Sequence, residues 1–136
     1  NWVGGSLPTE AQWERTCRGD DSRIYPWGNS LPQDSLLNYA DSTGYITPVG
    51  SYPQGASPYG ALDMAGNVWE WTADRYGSYG SVSVRNPLGA SSGDRRVLRG
   101  GSFGFNENGV RCAFRLAGIP GGGSNDVGFR VASTGF

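Results

Sequence analysis

YGALDMAGNVWEWTAD, residues 59–74, is the stretch of this chain that says most about its fold. Glycine and small residues come first, and the bulky side chains of Val68, Trp69 and Trp71 follow close together. Aromatic and β-branched residues in a short run bounded by turn residues predict a β-strand. RRVLRGGSF at 95–103 and VGFRVAS at 127–133 predict two more strands for the same reason.

LPTEAQWERTCRG, residues 7–19, predicts one well-marked helix. Thr9 is the expected N-cap, Gln12 completes a capping box and Gly19 ends the helix. Trp13 and Cys17 are four residues apart, which places them on one inward face. Glu14 and Arg18 follow the same spacing on a neighbouring stripe that we expect to be solvated. The same expectation applies to Glu10, so we prefer a solvated face to an acid–base pair.

The remaining segments predict loops. Proline, glycine, asparagine and serine dominate residues 25–59, and YGSYGSVSV at 76–84 is typical of a hairpin tip or surface loop.

In the DRRVLR run, a strand places Arg95 and Arg99 on one face and Arg96 on the other. We expect these arginines to form ion pairs at the rim.

Composition indicates one loop-rich, helix-poor domain of 136 residues and excludes several classes of site. The chain has no histidine and all 11 of its basic residues are arginine, so Ser-His or Cys-His pairs, imidazole metal sites and lysine Schiff bases are excluded. The net charge is −1 and the arginines are scattered, which argues against nucleic-acid binding. No run approaches the roughly 18 apolar residues of a membrane span, so we expect no direct membrane insertion.

Six motifs in their order along the chain resemble the formylglycine-generating-enzyme (sulfatase-modifying-factor) family. They are LPTEAQWE, YPWGN, PVGSY, YGALDMAGNVWEWTAD, RVLRGGSF and GFRVAS. The resemblance implies an α+β fold of the C-type lectin-like type, loop-rich with short antiparallel strands and few helices. It also implies a single domain over residues 1–136. Because the family has a strand and a helix before the first motif, we expect this domain to lack its N-terminal part.

The copper-binding cysteine pair of the family enzymes has no counterpart here. By resemblance the first of these cysteines falls near Phe105, and the shorter loop leaves no position for the second. Copper(I) prefers soft ligands, so copper is not expected. An oxidase of altered mechanism stays as an alternative function.

Cys112 lies in the pattern R-C-A-x-R, where the family has a structural cysteine that can pair with one in the pattern S-C-R-G. Cys17 stands at the matching position, in the run T-C-R-G at 16–19. The resemblance therefore implies a structural pair, disulfide-bonded or packed together. The alternative is that Cys112 is a lone catalytic thiol, although only arginine lies beside it as an activating group.

The DMAGNVWE motif holds a calcium ion in the family. By matching positions, a structural calcium would take ligands from the side chains of Asp63 and Glu70 and from the carbonyls of Gly66 and Val68. Calcium favours such mixed oxygen ligands in irregular loops. The alternative is that both carboxylates accept hydrogen bonds from loop groups with no ion present.

A second branch of the fold consists of ligand-binding proteins whose C-terminal segment is diversified by a retroelement. Here that segment, about residues 103–127, mixes apolar and small polar residues without strand or helix periodicity, as a paratope does. We therefore predict a non-enzymatic binding module for a protein or other macromolecular ligand, with a degenerate scaffold as a further alternative. The expected contact residues are Phe103, Phe105, Asn106, Asn108, Phe114, Leu116, Ile119, Asn125 and Asp126. The opposing interpretation places the apolar members in the core. The sequence leaves the compartment open.

Overall fold

A computed structural model describes residues 4–133 as a small α+β fold with long connections. The elements in chain order are α1 (Glu10–Arg18), a 3-10 turn (Pro53–Gly55), β1 (Trp69–Arg75), β2 (Arg96–Arg99), β3 (Arg115–Gly118) and β4 (Val127–Phe129). Within the described part of the chain, no helix has the length and apolar character needed to cross a membrane.

Helix α1 is the predicted helix, and its N-terminal cap forms as expected. The Thr9 hydroxyl oxygen accepts the Gln12 N–H at 3.2 Å, and the Gln12 side-chain oxygen accepts the Thr9 N–H at 2.8 Å. These bonds satisfy two N–H groups that a helix start leaves without partners. Gly19 ends the helix at φ 65°, a conformation that suits glycine.

The strands form one mixed sheet in the order β3-β2-β1-β4. β2 pairs antiparallel with both β1 and β3, whereas β4 runs parallel to β1. The three predicted strands are present as β1, β2 and β4. β3 was not predicted, because its four residues lie in the segment that showed no periodicity.

The sheet has two different faces, because residues paired across strands project to the same side. Leu116 pairs with Leu98, Leu98 with Trp71, and Trp71 with Phe129, which makes one apolar row; we call its side the open face. In the adjacent row Arg115 pairs with Arg99 and Arg99 with Glu70. This second side is the helix face, because α1 packs against it and Trp13 Nε1 donates to Glu70 there at 2.6 Å.

Burial of charge on the helix face corrects two expectations. Glu10 is buried and Glu14 half-buried, and both carboxylates bind the fully buried Arg99 guanidinium, at 3.4 and 2.5 Å. The expectation of a solvated Glu10–Glu14 stripe is therefore wrong. Arg99 lies in the interior and not at the rim, since its partners come from a helix some 85 residues earlier in the chain.

The core has two clusters, one on each side of the chain segment 64–65. Trp13, Cys17, Met64 and Cys112 form the first, beneath α1. The second gathers Tyr25, Leu37, Ala65 and Val110, with Phe105 packed against it. Trp13 and Cys17 thus point inward, as their spacing predicts.

Candidate functional site

Trp69, at the start of β1, is the aromatic centre around which one end of the open face packs. Its indole is buried, with the Phe105 ring packed edge-on at 4.9 Å between centroids and the Phe114 ring at 6.0 Å. Edge-to-face and tilted aromatic packing of this kind adds stability beyond the area it buries. Both phenylalanines are half-buried, so they support the face and contribute only part of their surface to it.

Exposed apolar side chains continue the open face across the sheet. Leu116 (37% exposed) and Phe129 (68%) belong to it through their strand pairing, and Ile119 (62%) and Val131 (51%) are exposed just beyond the ends of β3 and β4. The Trp71 ring extends from β1 across Leu98 of β2 towards Gly118 of β3. A Cβ atom at Gly118 would lie 2.5 Å from that ring, so glycine at this position lets the ring cover Leu98. The result is a rigid platform with apolar residues exposed on both edges.

Phe129 is a member of this face that the sequence reasoning missed, as is exposed Val131 just beyond it. They belong to a motif interpreted only as a strand. The available signal was alternation, since Val127 and Phe129 are spaced two apart and share a side of the strand, and Val131 continues the spacing beyond β4. Only the parallel pairing with β1 shows that this side is the open face.

The polar candidates lie in the loops that flank β3. Asn106 and Asn108 are exposed, and the Asn106 side-chain oxygen accepts the Asn108 N–H at 3.1 Å to hold a tight turn. Asn125 is exposed in the connection from β3 to β4. Asp126 is half-buried, and its carboxylate accepts hydrogen bonds from Ser102 and Ser124, so it anchors this connection.

The structure therefore sorts the nine predicted contact residues by exposure. Phe103 is half-buried and its N–H donates to the Asn67 carbonyl at 3.0 Å, so its loop is fixed to the turn before β1. Those exposed enough to contact a large ligand directly are Asn106, Asn108, Leu116, Ile119 and Asn125. Phe103, Phe105, Phe114 and Asp126 form the layer beneath. The opposing interpretation as core thus applies in part to the phenylalanines.

Cys17 and Cys112 are joined in a disulfide with their Cα atoms 5.7 Å apart, which is the pairing that the resemblance implies. Both are fully buried, and the Cys112 N–H donates to the Ile24 carbonyl at 2.9 Å. The bridge ties α1 to the loop that precedes β3. While it is formed, neither sulfur is available as a thiolate nucleophile or metal ligand.

Glu70, one of the predicted calcium ligands, binds an arginine in this structure. Arg130 donates from Nε and Nη2 to the two Glu70 carboxylate oxygens, each at 2.6 Å. Arg130 Nη2 also reaches the carbonyls of Leu62 and Asp63, at 3.1 and 3.2 Å. With the Trp13 indole, three donors share the Glu70 carboxylate, which offers about four lone-pair sites.

The other predicted calcium ligands have free oxygens. Asp63 uses Oδ2 to accept the Gly50 N–H at 2.7 Å, and among residues 4–133 no group donates to its Oδ1 or to the carbonyls of Gly66 and Val68. Gly66 is buried, so its unpaired carbonyl is unusual. These oxygens fit a hard cation, provided that Glu70 is shared with Arg130. No group of three acidic or cysteine side chains gathers within the described residues, so such an ion would depend on carbonyls.

Comparison with known proteins places this geometry in a family. The profile of the sulfatase-modifying factor enzyme 1-like domain matches residues 1–134, nearly the whole chain. The chain belongs to this family. Its fold is accordingly the C-type lectin-like fold of the formylglycine-generating-enzyme type, with one helix and a small mixed sheet.

Relatives of this sulfatase-modifying factor domain include proteins named as enzymes and one named as a variable protein. It is 39% identical over 149 residues to the formylglycine-generating enzyme of Mus musculus, covering 97% of this chain and 40% of the enzyme. It is 40% identical over 126 residues to the hercynine oxygenase of Mycolicibacterium smegmatis, covering 84% and 29%. The solved structure of Treponema denticola variable protein 1 superposes with a TM-score of 0.81 at 28% identity, covering 93% and 46%. The chain thus spans less than half the length of each of these proteins.

Proposed function

We propose that this domain is a non-enzymatic binding module that presents its open face to a protein or other macromolecular ligand. The observation that carries the proposal is the exposure of Leu116 and Phe129 on one side of the sheet, with exposed Ile119 and Val131 just beyond the ends of β3 and β4. Grouped apolar side chains of this kind mark interaction sites in soluble domains. Exposed Asn106, Asn108 and Asn125 add hydrogen-bonding groups at the border, the mixture that paratopes use.

The likeness to a variable protein supports a display role for the segment 103–127. In this chain the segment contributes one edge strand and two loops, and its anchors are structural. The disulfide at Cys112, the Trp69 contacts of Phe105 and Phe114, and the Ser102–Asp126 hydrogen bond hold the backbone in place. Exposed positions between these anchors can change without loss of the fold.

The alternative is an oxidase, which the names of the formylglycine-generating enzyme and the hercynine oxygenase favour. By resemblance, the first copper-binding cysteine falls near Phe105, whose ring packs against Trp69. Both cysteines of the chain are joined to each other. We therefore propose that a thiolate-dependent copper mechanism does not operate here.

Comparing the gene between isolates of the source tests the display role directly. We expect a near-copy of the sequence encoding residues 103–127 downstream of the gene, differing from it mainly at adenines of the copy. Substitutions between isolates should concentrate at Asn106, Asn108, Leu116, Ile119 and Asn125. An invariant segment with no such copy would contradict diversification.

A dye-binding experiment tests the face itself. The double variant Leu116→Ser/Ile119→Ser should bind anilinonaphthalene sulfonate at least about threefold less than the wild type, because it removes exposed apolar surface. Val82→Ser is the matched control, since Val82 is 76% exposed in the loop 76–84. Equal loss in both variants would show that the face is not a distinct patch.

Conversion of a cysteine-containing sulfatase peptide to formylglycine, with copper added, would instead establish the oxidase.

A further inference from the structure

A cleft of about 690 Å³ opens on the helix face, between α1 and the long segment from Gly77 to Ala90. Its volume lies in the range of small-molecule sites, roughly 300–1,000 Å³. It lies across the sheet from the open face, so it is separate from the proposed binding surface. The apolar part of its lining consists of Ala11, Val84, Pro87, Leu88 and Ala90.

One wall of the cleft is a closed polar network. Glu10 accepts hydrogen bonds from Arg115 Nε and Nη2, at 2.8 and 2.7 Å, and from the Tyr79 hydroxyl at 3.0 Å. Arg115 gives its third nitrogen to the Gly77 carbonyl at 2.7 Å and lies over the rings of Tyr76 and Tyr79. Because Glu10 and Arg115 already satisfy each other, this wall has no free charge to offer a ligand.

Asp74 is the exception in the cleft. Only 3% of this residue is exposed, and its Oδ2 accepts the Glu10 N–H at the start of α1 at 2.7 Å. No group among residues 4–133 donates to its Oδ1, and no arginine of the described chain forms a salt bridge with it. Burial raises the pKa of the Asp74 carboxyl. A buried carboxylate with a free oxygen beside a cavity is an unfavourable arrangement that a cationic ligand would relieve.

The neighbouring arginines act on Asp74 only through space, because their N–H groups donate to other acceptors. Arg96 donates from Nη1 to the Ala73 carbonyl at 2.6 Å, Arg75 donates to the Gly93 carbonyl, and Arg115 is held by Glu10. A metal ion would need further oxygen ligands, and no cluster of three acidic side chains occurs in the described residues. A ligand that carries its own single positive charge suits the site better.

We propose that this cleft binds a small organic cation, a primary ammonium on a short apolar stem. The ammonium donates to Asp74 Oδ1, and the stem packs against the side chains of Leu88 and Ala90 and against Ala11 on α1. The paired charge and the apolar contact are both needed, since an exposed ion pair alone contributes little affinity. This site does not depend on the function proposed for the open face.

Calorimetric titration with n-butylammonium chloride tests the proposal, with 1-butanol as a neutral probe of similar length. We expect the wild type to bind the ammonium at least about tenfold more tightly than the alcohol. Asp74→Asn should abolish this preference, because the amide removes the charge and keeps an acceptor for the Glu10 N–H. Asp94→Asn is the control, since Asp94 is an exposed carboxylate outside the cleft lining, and it should bind as the wild type does.

Ala11→Trp provides a second test that leaves Asp74 intact. Ala11 is half-exposed on α1, so the larger side chain can fill the cleft without entering the core. Loss of ammonium binding at an unchanged melting temperature would support the site even if Asp74→Asn proved unstable.

Equal binding of both probes by the wild type, or full ammonium binding by Asp74→Asn or Ala11→Trp, would overturn the proposal. The Leu116→Ser/Ile119→Ser variant should bind the ammonium normally, so failure of one proposal can be distinguished from failure of the other.

Discussion

At the residue scale, single carboxylates in this protein differ according to the donors around them. Glu70 is neutralised by the two-pronged contact of Arg130, whereas Asp63 keeps one oxygen free. Asp63 also has a positive φ of 55°, which asparagine and aspartate tolerate better than most residues. A cation at this turn would therefore be held by Asp63 and carbonyl oxygens more than by Glu70.

Calcium binding is the prediction that belongs to this scale. Calorimetric titration of chelator-treated protein with calcium chloride should show binding at millimolar concentrations or below, and calcium at about 100 times Kd should add about 2.7 kcal/mol to the free energy of unfolding. Asp63→Asn should weaken binding at least about tenfold, because it removes a charged ligand while suiting the same backbone conformation. Asp34→Asn, at an exposed carboxylate in another loop, should have no effect. No heat of binding at millimolar calcium would leave the hydrogen-bonded alternative as the explanation of the motif.

At the scale of elements, a buried ionic network joins α1 to the sheet. Arg99 of β2 forms salt bridges with Glu14 and Glu10 of the helix. It also donates to the carbonyls of Ala113 and Phe114 just before β3. Its side chain also lies over the Trp13 ring, with the guanidinium carbon 5.3 Å from the ring centroid. One arginine thus joins α1, β2 and the loop before β3, although no group among residues 4–133 forms a hydrogen bond with its Nε.

Loss of that arginine is the prediction for this scale. Arg99→Met should lower the free energy of unfolding by about 3 kcal/mol, because it leaves part of the Glu10 and Glu14 charge buried without a partner. Arg95→Met is the matched control at an exposed position one residue before β2, and it should change stability by less than about 0.5 kcal/mol. Urea unfolding of both variants measures the difference. Similar stability of the two would mean that Arg115 and Arg18 are sufficient to neutralise the acids.

At the scale of the whole molecule, contacts distant in sequence hold the fold together. The disulfide joins residues 95 positions apart, and the backbone of Ser6 pairs with Ala132 through hydrogen bonds of 2.9 and 2.8 Å. Long loops connect few and short elements, so much of the chain has no regular structure of its own. Constraints between its two halves therefore matter more than local propensity.

Reduction of the disulfide tests that conclusion. Closing a loop of about this length lowers the entropy of the unfolded chain, which corresponds to about 4.7 kcal/mol of stability in the chain-entropy model. A phosphine reductant should thus reduce the free energy of unfolding in urea by roughly that amount. The Cys17→Ser/Cys112→Ser variant should match the reduced protein and be insensitive to the reductant. Two titratable thiols in the reduced protein at unchanged stability would contradict the expectation.

Helix α1, the strands β1, β2 and β4 and the family fold could be predicted from the sequence. Caps such as Thr9 with Gln12, and the run around Trp69, act through residues only a few positions apart, so a linear pattern contains them. The open face could be predicted in part, since Leu116 was named without its exposure and Phe129 was not named. Leu116 is exposed and Phe105 is packed on Trp69, although both are apolar residues of one aperiodic segment.

Tertiary structure alone decided which charges are buried and which apolar side chains are exposed. Glu10 and Arg115 are 105 residues apart, and Glu14 and Arg99 are 85 apart, so no local pattern shows that they neutralise each other. The burial of Asp74 is likewise not visible in a local pattern, because its surroundings come from α1 and from the loop after β1. The sequence by itself determined the elements and the fold, through local hydrogen bonding and hydrophobic pattern. The pairing of distant charges and the two faces of the sheet arose only when the strands were placed side by side.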